Sequence, residues 1–199
     1  MITSFISSNL IAEKKELKEN SYDKREMAQG VHPMDTVEDA TEILPNLWLG
    51  NVRASVDEDF IRRKNIQVVF NCTKNLAFSH IIPTKYRVPV DDNLEEDEIR
   101  NMELWSAEIT FKMMAEYMSG KPVLVHCMAG MQRSAASMAM MLIAYKRIHA
   151  QEAMKMIKDR RSIAFHPGAN FGRSIQYFDR LFHGEILPRM NQLQSTKKE

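Results

Sequence analysis

The chain has 199 residues, enough for one compact domain and an extension but not for two ordinary domains. With 27 Lys+Arg against 26 Asp+Glu, no global field draws it to nucleic acid or to an anionic membrane. Hydrophobic residues at 44% and charged residues at 27% are usual for a soluble globular protein, and two cysteines, Cys72 and Cys127, exclude a disulfide framework.

The opening MITSFISSNLIAEKK has no basic n-region, and Ser and Asn interrupt its apolar residues, so it does not read as a signal peptide. No apolar run reaches the roughly 20 residues of a membrane span. Ile2 and the final TKKE carry no lipidation signal, which makes a cytoplasmic protein, with nuclear entry open, the expectation. Ile2, Phe5, Ile6, Leu10 and Ile11 share one helical face. Residues 1–40 therefore read as an N-terminal extension, an amphipathic helix and a polar linker, whose apolar face could pair two protomers as a homodimer. A domain over 41–185 and a polar tail over 186–199 follow.

In the domain, Ile43 and Leu47-Trp48-Leu49 predict two short strands around a Pro-Asn turn, closed by Gly50-Asn51. DEDFIRRKN fits a helix ending at Asn65. IQVVFNC (66–72) predicts a strand buried on both faces, and KYRVPV (85–90) another strand, with Pro89 at its end or edge. EEDE (95–98) opens a helix through Met118 with an apolar stripe of Ile99, Met102, Trp105, Ile109 and Met113; Gly120 and Pro122 end it. KPVLVH is a third buried strand. Helical patterns follow over 134–147, 150–161 and 171–182. Strands alternating with helices predict an α/β fold, a central and largely parallel sheet flanked by helices.

Chemistry concentrates at VLVHCMAGMQRSAASMAM (123–140). Cys127 closes a strand directly before a helix N-terminus, where free N–H groups and the helix dipole favour an anion. Ala129-Gly130 lets the loop curl so that successive N–H groups converge. Arg133 offers a bidentate fork for two oxygens of a phosphate or similar anion. The same groups favour the Cys127 thiolate over the thiol. Ser134 could hydrogen-bond the sulfur, and His126 could order the loop. A thiolate beneath an oxyanion-binding cup is equipped to displace an alcohol from phosphorus.

His126-Cys127-x-x-Gly130-x-x-Arg133-Ser134 resembles the signature of the cysteine-dependent protein phosphatases, at offsets expected by chance on the order of once in 10⁴ sequences or less. ILPNLWLGN, VVFNCT and EAMKMIKDRR extend the resemblance over roughly residues 41–185. The resemblance implies Cys127 as nucleophile, phosphate held by Arg133 and the amides of Met128, Ala129, Gly130, Met131, Gln132 and Arg133, and Ser134 assisting breakdown of a cysteinyl-phosphate. It implies no metal and no cofactor. In the dual-specificity branch the general acid resembles Asp92, 127 − 92 = 35 positions before the cysteine, with Asp91 the alternative. Glu95 to Glu98 read as helix-capping or peptide-tuning residues. The short chain sets this protein apart from the larger tyrosine-only phosphatases, and by the same resemblance a loop without lysine at Met128, Met131 and Gln132 points to phosphoprotein substrates rather than polyanionic lipids. A phosphoprotein-binding pseudophosphatase, and phosphatases of inositol lipids or RNA 5′-phosphates, are the competing readings. The family's Pro-Asn near Gly-Phe is absent from IAFHPGANFGRSI, which leaves the roles of His166 and Asn170 open. Cys72, ending the neighbouring strand, reads as a small buried residue or as a redox partner that captures oxidised Cys127 as a disulfide.

Overall fold

The computed structural model describes residues 38–195, and the expected N-terminal helix lies outside them. A five-stranded mixed sheet organises the domain in the order β1-β2-β5-β3-β4. β1 (Ala40–Leu44) and β2 (Leu47–Gly50) form an antiparallel hairpin whose Pro45-Asn46 turn places Asn46 at φ 63, a left-handed position that asparagine tolerates. β2, β5 (Val123–His126), β3 (Val68–Asn71) and β4 (Thr84–Arg87) run parallel.

The central strands alternate faces with period two. Leu47, Leu49, Val68, Phe70, Val123 and Val125 join the larger core, whereas Trp48, Val69 and Leu124 join a smaller one on the other side. The large core packs under α3 (Glu96–Met118), α4 (Arg133–Lys146), α5 (Ala150–Arg160) and α6 (Gly172–Leu181). The small core is closed by α1 (Val52–Val56), α2 (Glu58–Arg63) and residues 78–82. Every residue of α4 from Ser134 to Ala144 is buried, which its small and flexible side chains (Ala, Ser, Met) permit at close range. In α3, Met102, Ile109 and Met113 are buried as expected, with Ile99 and Trp105 packed beside them.

The expected elements are present, with four adjustments. β3 and β4 are shorter than read: pairing continues only through Val88 N–H to the Asn71 carbonyl (2.9 Å), because the next donor of β4, the Val90 N–H, turns back to Val88 O (2.9 Å) instead of reaching β3. Gly50-Asn51 does not merely close a hairpin. Asn51 accepts from the Ala54 N–H (3.1 Å) and caps α1, a helix too short to show a period. The acidic stretch is not uniformly solvated, since Glu98 is buried. Finally, the stretch read as a polar tail continues the helix, through a π-helical turn (Phe182–Ile186) into α6′s extension α7 (Leu187–Ser195). Among the described residues, no helix is long and apolar enough to cross a membrane.

Candidate active site

The parallel strands β2, β5 and β3 end together, and the loop from β5 into α4 lies beyond their carboxyl ends, where open α/β sheets bind ligands. Cys127 is the first residue of that loop and is 2% exposed. The Gly130 N–H (3.3 Å) and the Ser134 hydroxyl (3.2 Å) both donate to its sulfur.

The loop's polarity is fixed from outside. Four successive carbonyls are each taken by a donor beyond the loop. Met128 O accepts from Val52 N–H (3.0 Å) and Ala129 O from Arg161 Nη2 (3.3 Å). Gly130 O accepts from Arg161 Nε (2.9 Å) and Met131 O from Phe165 N–H (2.9 Å). In a planar trans peptide the carbonyl and the next N–H point opposite ways. The N–H groups of Ala129, Gly130, Met131 and Gln132 are therefore turned to the other side, the side on which Gly130 N–H meets the thiol. Gly130 itself, at φ +69, has no room for a side chain: a Cβ would lie 2.5 Å from Gly50 O and 2.9 Å from Arg161 Nη2.

This arrangement controls ionisation. Burial alone raises a thiol, and it pushes Cys72 up to about 12. Cys127 is equally buried yet held below the ordinary thiol range, because the Ser134 hydroxyl and N–H, the Arg133 charge and the Met131 N–H together outweigh desolvation. Arg133 Nη1 reaches Val90 O (3.4 Å), while its Nε is buried without a partner among the described residues. A buried, unsatisfied guanidinium N–H beside an amide cup is what an oxyanion would complete.

Both aspartates lie on the segment that follows Val90, and the structure separates them. Asp91 pairs with Lys74 (3.1 Å), and its N–H donates to Glu98 Oε2 (2.8 Å). Glu98 also pairs with Lys74. Burial works against the Glu98 charge, but the Lys74 ammonium and the Asp91 N–H hold its carboxyl below the usual range. Asp92 is left outside this network and accepts from Asn170 Nδ2 (2.8 Å).

Asn170 is thus the neighbour of the general-acid candidate that the altered motif left undecided. It is tied back to the loop through Gln132, whose Nε2 donates to His166 O (2.9 Å) and Gly168 O (2.8 Å) and whose Oε1 accepts from Asn170 N–H (3.0 Å). His166 contributes its carbonyl and an exposed ring. Gln132 does more than was expected of it: beside the N–H that it turns to the cup, its side chain positions the 166–170 segment. His126 is buried directly before the cysteine. Neither ring nitrogen has a hydrogen-bond partner among the described residues. Burial outweighs the contact with the Cys127 backbone and, with Arg87 and Arg133 adding to it, pushes the ring down to about 4, so it packs as a neutral imidazole beneath the loop.

Cys72 sits one strand away, where its N–H bonds His126 O (2.7 Å) and its sulfur lies 3.5 Å from Ser137 Oγ. A thiol pushed that high is a poor attacking nucleophile at neutral pH.

Arg161 was not singled out in the sequence, yet it is 1% exposed and holds two carbonyls of the cup. Arg161→Met strands those acceptors. It is expected to weaken tungstate binding at least about tenfold, or 1.4 kcal/mol, in calorimetric titration. Unchanged affinity in a folded variant would show that the loop keeps its polarity without this clamp.

A cysteine at the foot of an amide-lined cup, on a strand–loop–helix at the end of a mostly parallel sheet, is the arrangement expected of a cysteine-based phosphate-binding loop. Residues 47–180 match the family model "Dual specificity phosphatase, catalytic domain", and the chain belongs to that family. It is 31% identical over 142 residues to "Putative tyrosine phosphatase 123R" of Invertebrate iridescent virus 6, covering 70% of this chain and 92% of that protein. Human Dual specificity protein phosphatase 4 is 30% identical over 137 residues, 68% of this chain but 34% of the human protein. Among solved structures, a variant of human DUSP28 superposes with a TM-score of 0.66 at 25% identity, covering 74% of this chain and 99% of that one. DUSP15 gives 0.63 at 25%, covering 76% and 93%.

Proposed function

We propose that this protein hydrolyses phosphotyrosine and phosphoserine or phosphothreonine monoesters of proteins through a cysteinyl-phosphate. The outward-held carbonyls of Met128 to Met131 carry this reading, since they leave four N–H groups facing a buried cysteine of lowered pKa. The Cys127 thiolate attacks phosphorus, and the ester P–O bond breaks. Asp92 protonates the departing oxygen, while the cup and Arg133 stabilise the charge on the equatorial oxygens. In the second half, Asp92 accepts a proton from water as that water attacks phosphorus. The S–P bond breaks, and the Ser134 hydroxyl stabilises the departing thiolate from 3.2 Å. Asn170 and Gln132 position Asp92.

Met128, 45% exposed beside the cysteine, and the neutral Met131 supply no cation for a polyanionic substrate. This supports protein phosphomonoesters over inositol polyphosphates and RNA 5′-phosphates.

Phosphate release from phosphotyrosine and phosphothreonine peptides, with acid-quenched protein mapped by mass spectrometry, tests the proposal. The expected result is turnover of both peptides and a phosphoryl group on the Cys127 peptide. Tight phosphopeptide binding with neither product nor phosphoenzyme would instead identify a phosphoprotein-binding pseudophosphatase. Faster turnover of an inositol phosphate would move the substrate class.

A further inference from the structure

On the face formed by the start of α5 and the end of α6, three metal-ligating side chains from three elements converge. His149 occupies the N-cap position of α5 and makes no capping bond with its side chain. Asp179 comes from α6, and His183 from the π-helical turn that follows it. His149 Nδ1 lies 3.2 and 3.4 Å from the two Asp179 carboxylate oxygens, and His183 Nδ1 lies 2.8 Å from Oδ1. One ligand atom from each residue falls within 4.8 Å of the others. The imidazoles stack with centroids 4.3 Å apart. The Ala150 N–H donates to Asp179 Oδ2 (3.2 Å), which fixes the carboxylate between them.

We propose that His149, Asp179 and His183 form a binding site for a divalent first-row transition metal, Zn²⁺ being the ion of choice. Two imidazoles and a carboxylate are a borderline nitrogen–oxygen donor set suited to zinc rather than to calcium or magnesium, which take oxygen ligands. Around an ion with bonds of about 2.0–2.2 Å, tetrahedral ligands stand about 3.3–3.6 Å apart; His149 Nδ1 is already 3.2 Å from Asp179 Oδ1, His183 Nδ1 must open from 2.8 Å, and the two histidine nitrogens lie within 4.8 Å of each other. His149, with a side chain 73% exposed, is free to rotate in and close the site. The Ala150 N–H to the second carboxylate oxygen supplies the orienting contact that metal-bound carboxylates generally keep. Three protein ligands leave a fourth position for water. The ion would staple the start of α5 to the end of α6, on the far end of α5 from Arg161. It takes no part in the phosphate chemistry, and the site stands whether or not the hydrolase reading does.

The test titrates ZnCl₂ into the full-length Cys127→Ser protein by calorimetry, so that the catalytic sulfur cannot serve as a competing ligand. One ion per chain is expected, with a dissociation constant on the order of micromolar. His149→Ala and His183→Ala should each weaken it about 10- to 100-fold or more, and His80→Ala should leave it unchanged. Saturating zinc should raise the melting temperature by roughly 5 °C, a shift lost in the two variants. Melts in EDTA verify that the variants fold, and His149, being exposed, provides the substitution least able to disturb packing. No binding up to about 100 μM, or binding that survives the double His149→Ala/His183→Ala change, overturns the site.

Discussion

Cys127→Ser is expected to lower turnover of every phosphomonoester by about 10⁴-fold or more while phosphopeptide binding persists. The cup holds below the ordinary range a thiol pKa that burial alone would raise. A hydroxyl ionises far less readily, and the same donors cannot bring it to a populated alkoxide near neutrality. The serine side chain is close in size and keeps the Ser134 and Gly130 contacts available, so the cup and Arg133 remain to hold phosphate. Steady-state kinetics paired with calorimetric titration of a phosphopeptide separates the two effects. Loss of binding alongside turnover would mean that the variant had collapsed the cup.

Asp92→Asn is expected to produce the next largest loss, about 10²- to 10⁴-fold on phosphotyrosine and alkyl phosphates. The effect on p-nitrophenyl phosphate should be much smaller, because that oxyanion departs with little need of a proton. Asparagine keeps an acceptor for Asn170 Nδ2 and adds no charge, so the change removes a proton rather than a shape. The pH profile carries the sign for the nucleophile: rate rises with pH as Cys127 ionises, at a pH below the ordinary thiol range, and Asp92→Asn should leave that acidic limb in place. An equal loss on p-nitrophenyl phosphate and on alkyl phosphates would transfer the role to another group, with Asp91 disfavoured by its engagement with Lys74 and Glu98.

The core of the site was legible because it is local. A β-branched run, a cysteine, a glycine and an arginine before an alanine-rich helix place thiol, turn and cation within one strand–loop–helix, and periodicity located its neighbours. What escaped detection is non-local or is carried by backbone atoms. The acceptors that Arg161 satisfies are carbonyls, which no residue identity announces, and the arginine stands 31 positions after Gly130. Asn170 reaches Asp92 across 78 positions from a segment lacking the anticipated Pro-Asn. Glu98 looked like a helix-opening charge because its buried pairing with Lys74 depends on the loop after β3 meeting the first turn of α3. Helix α1, at five residues, is shorter than the window any periodic signal needs.

The outward-facing carbonyls of the phosphate loop also bear on how inactive members of such a family arise. Competence is usually judged by whether cysteine, arginine and aspartate are intact in the motif. Here the inward direction of the amides is enforced by Val52, Phe165 and above all Arg161, none of which belongs to that motif. A gene could lose the activity through a single codon for a residue that never approaches the phosphate, while every diagnostic letter of its signature stayed in place.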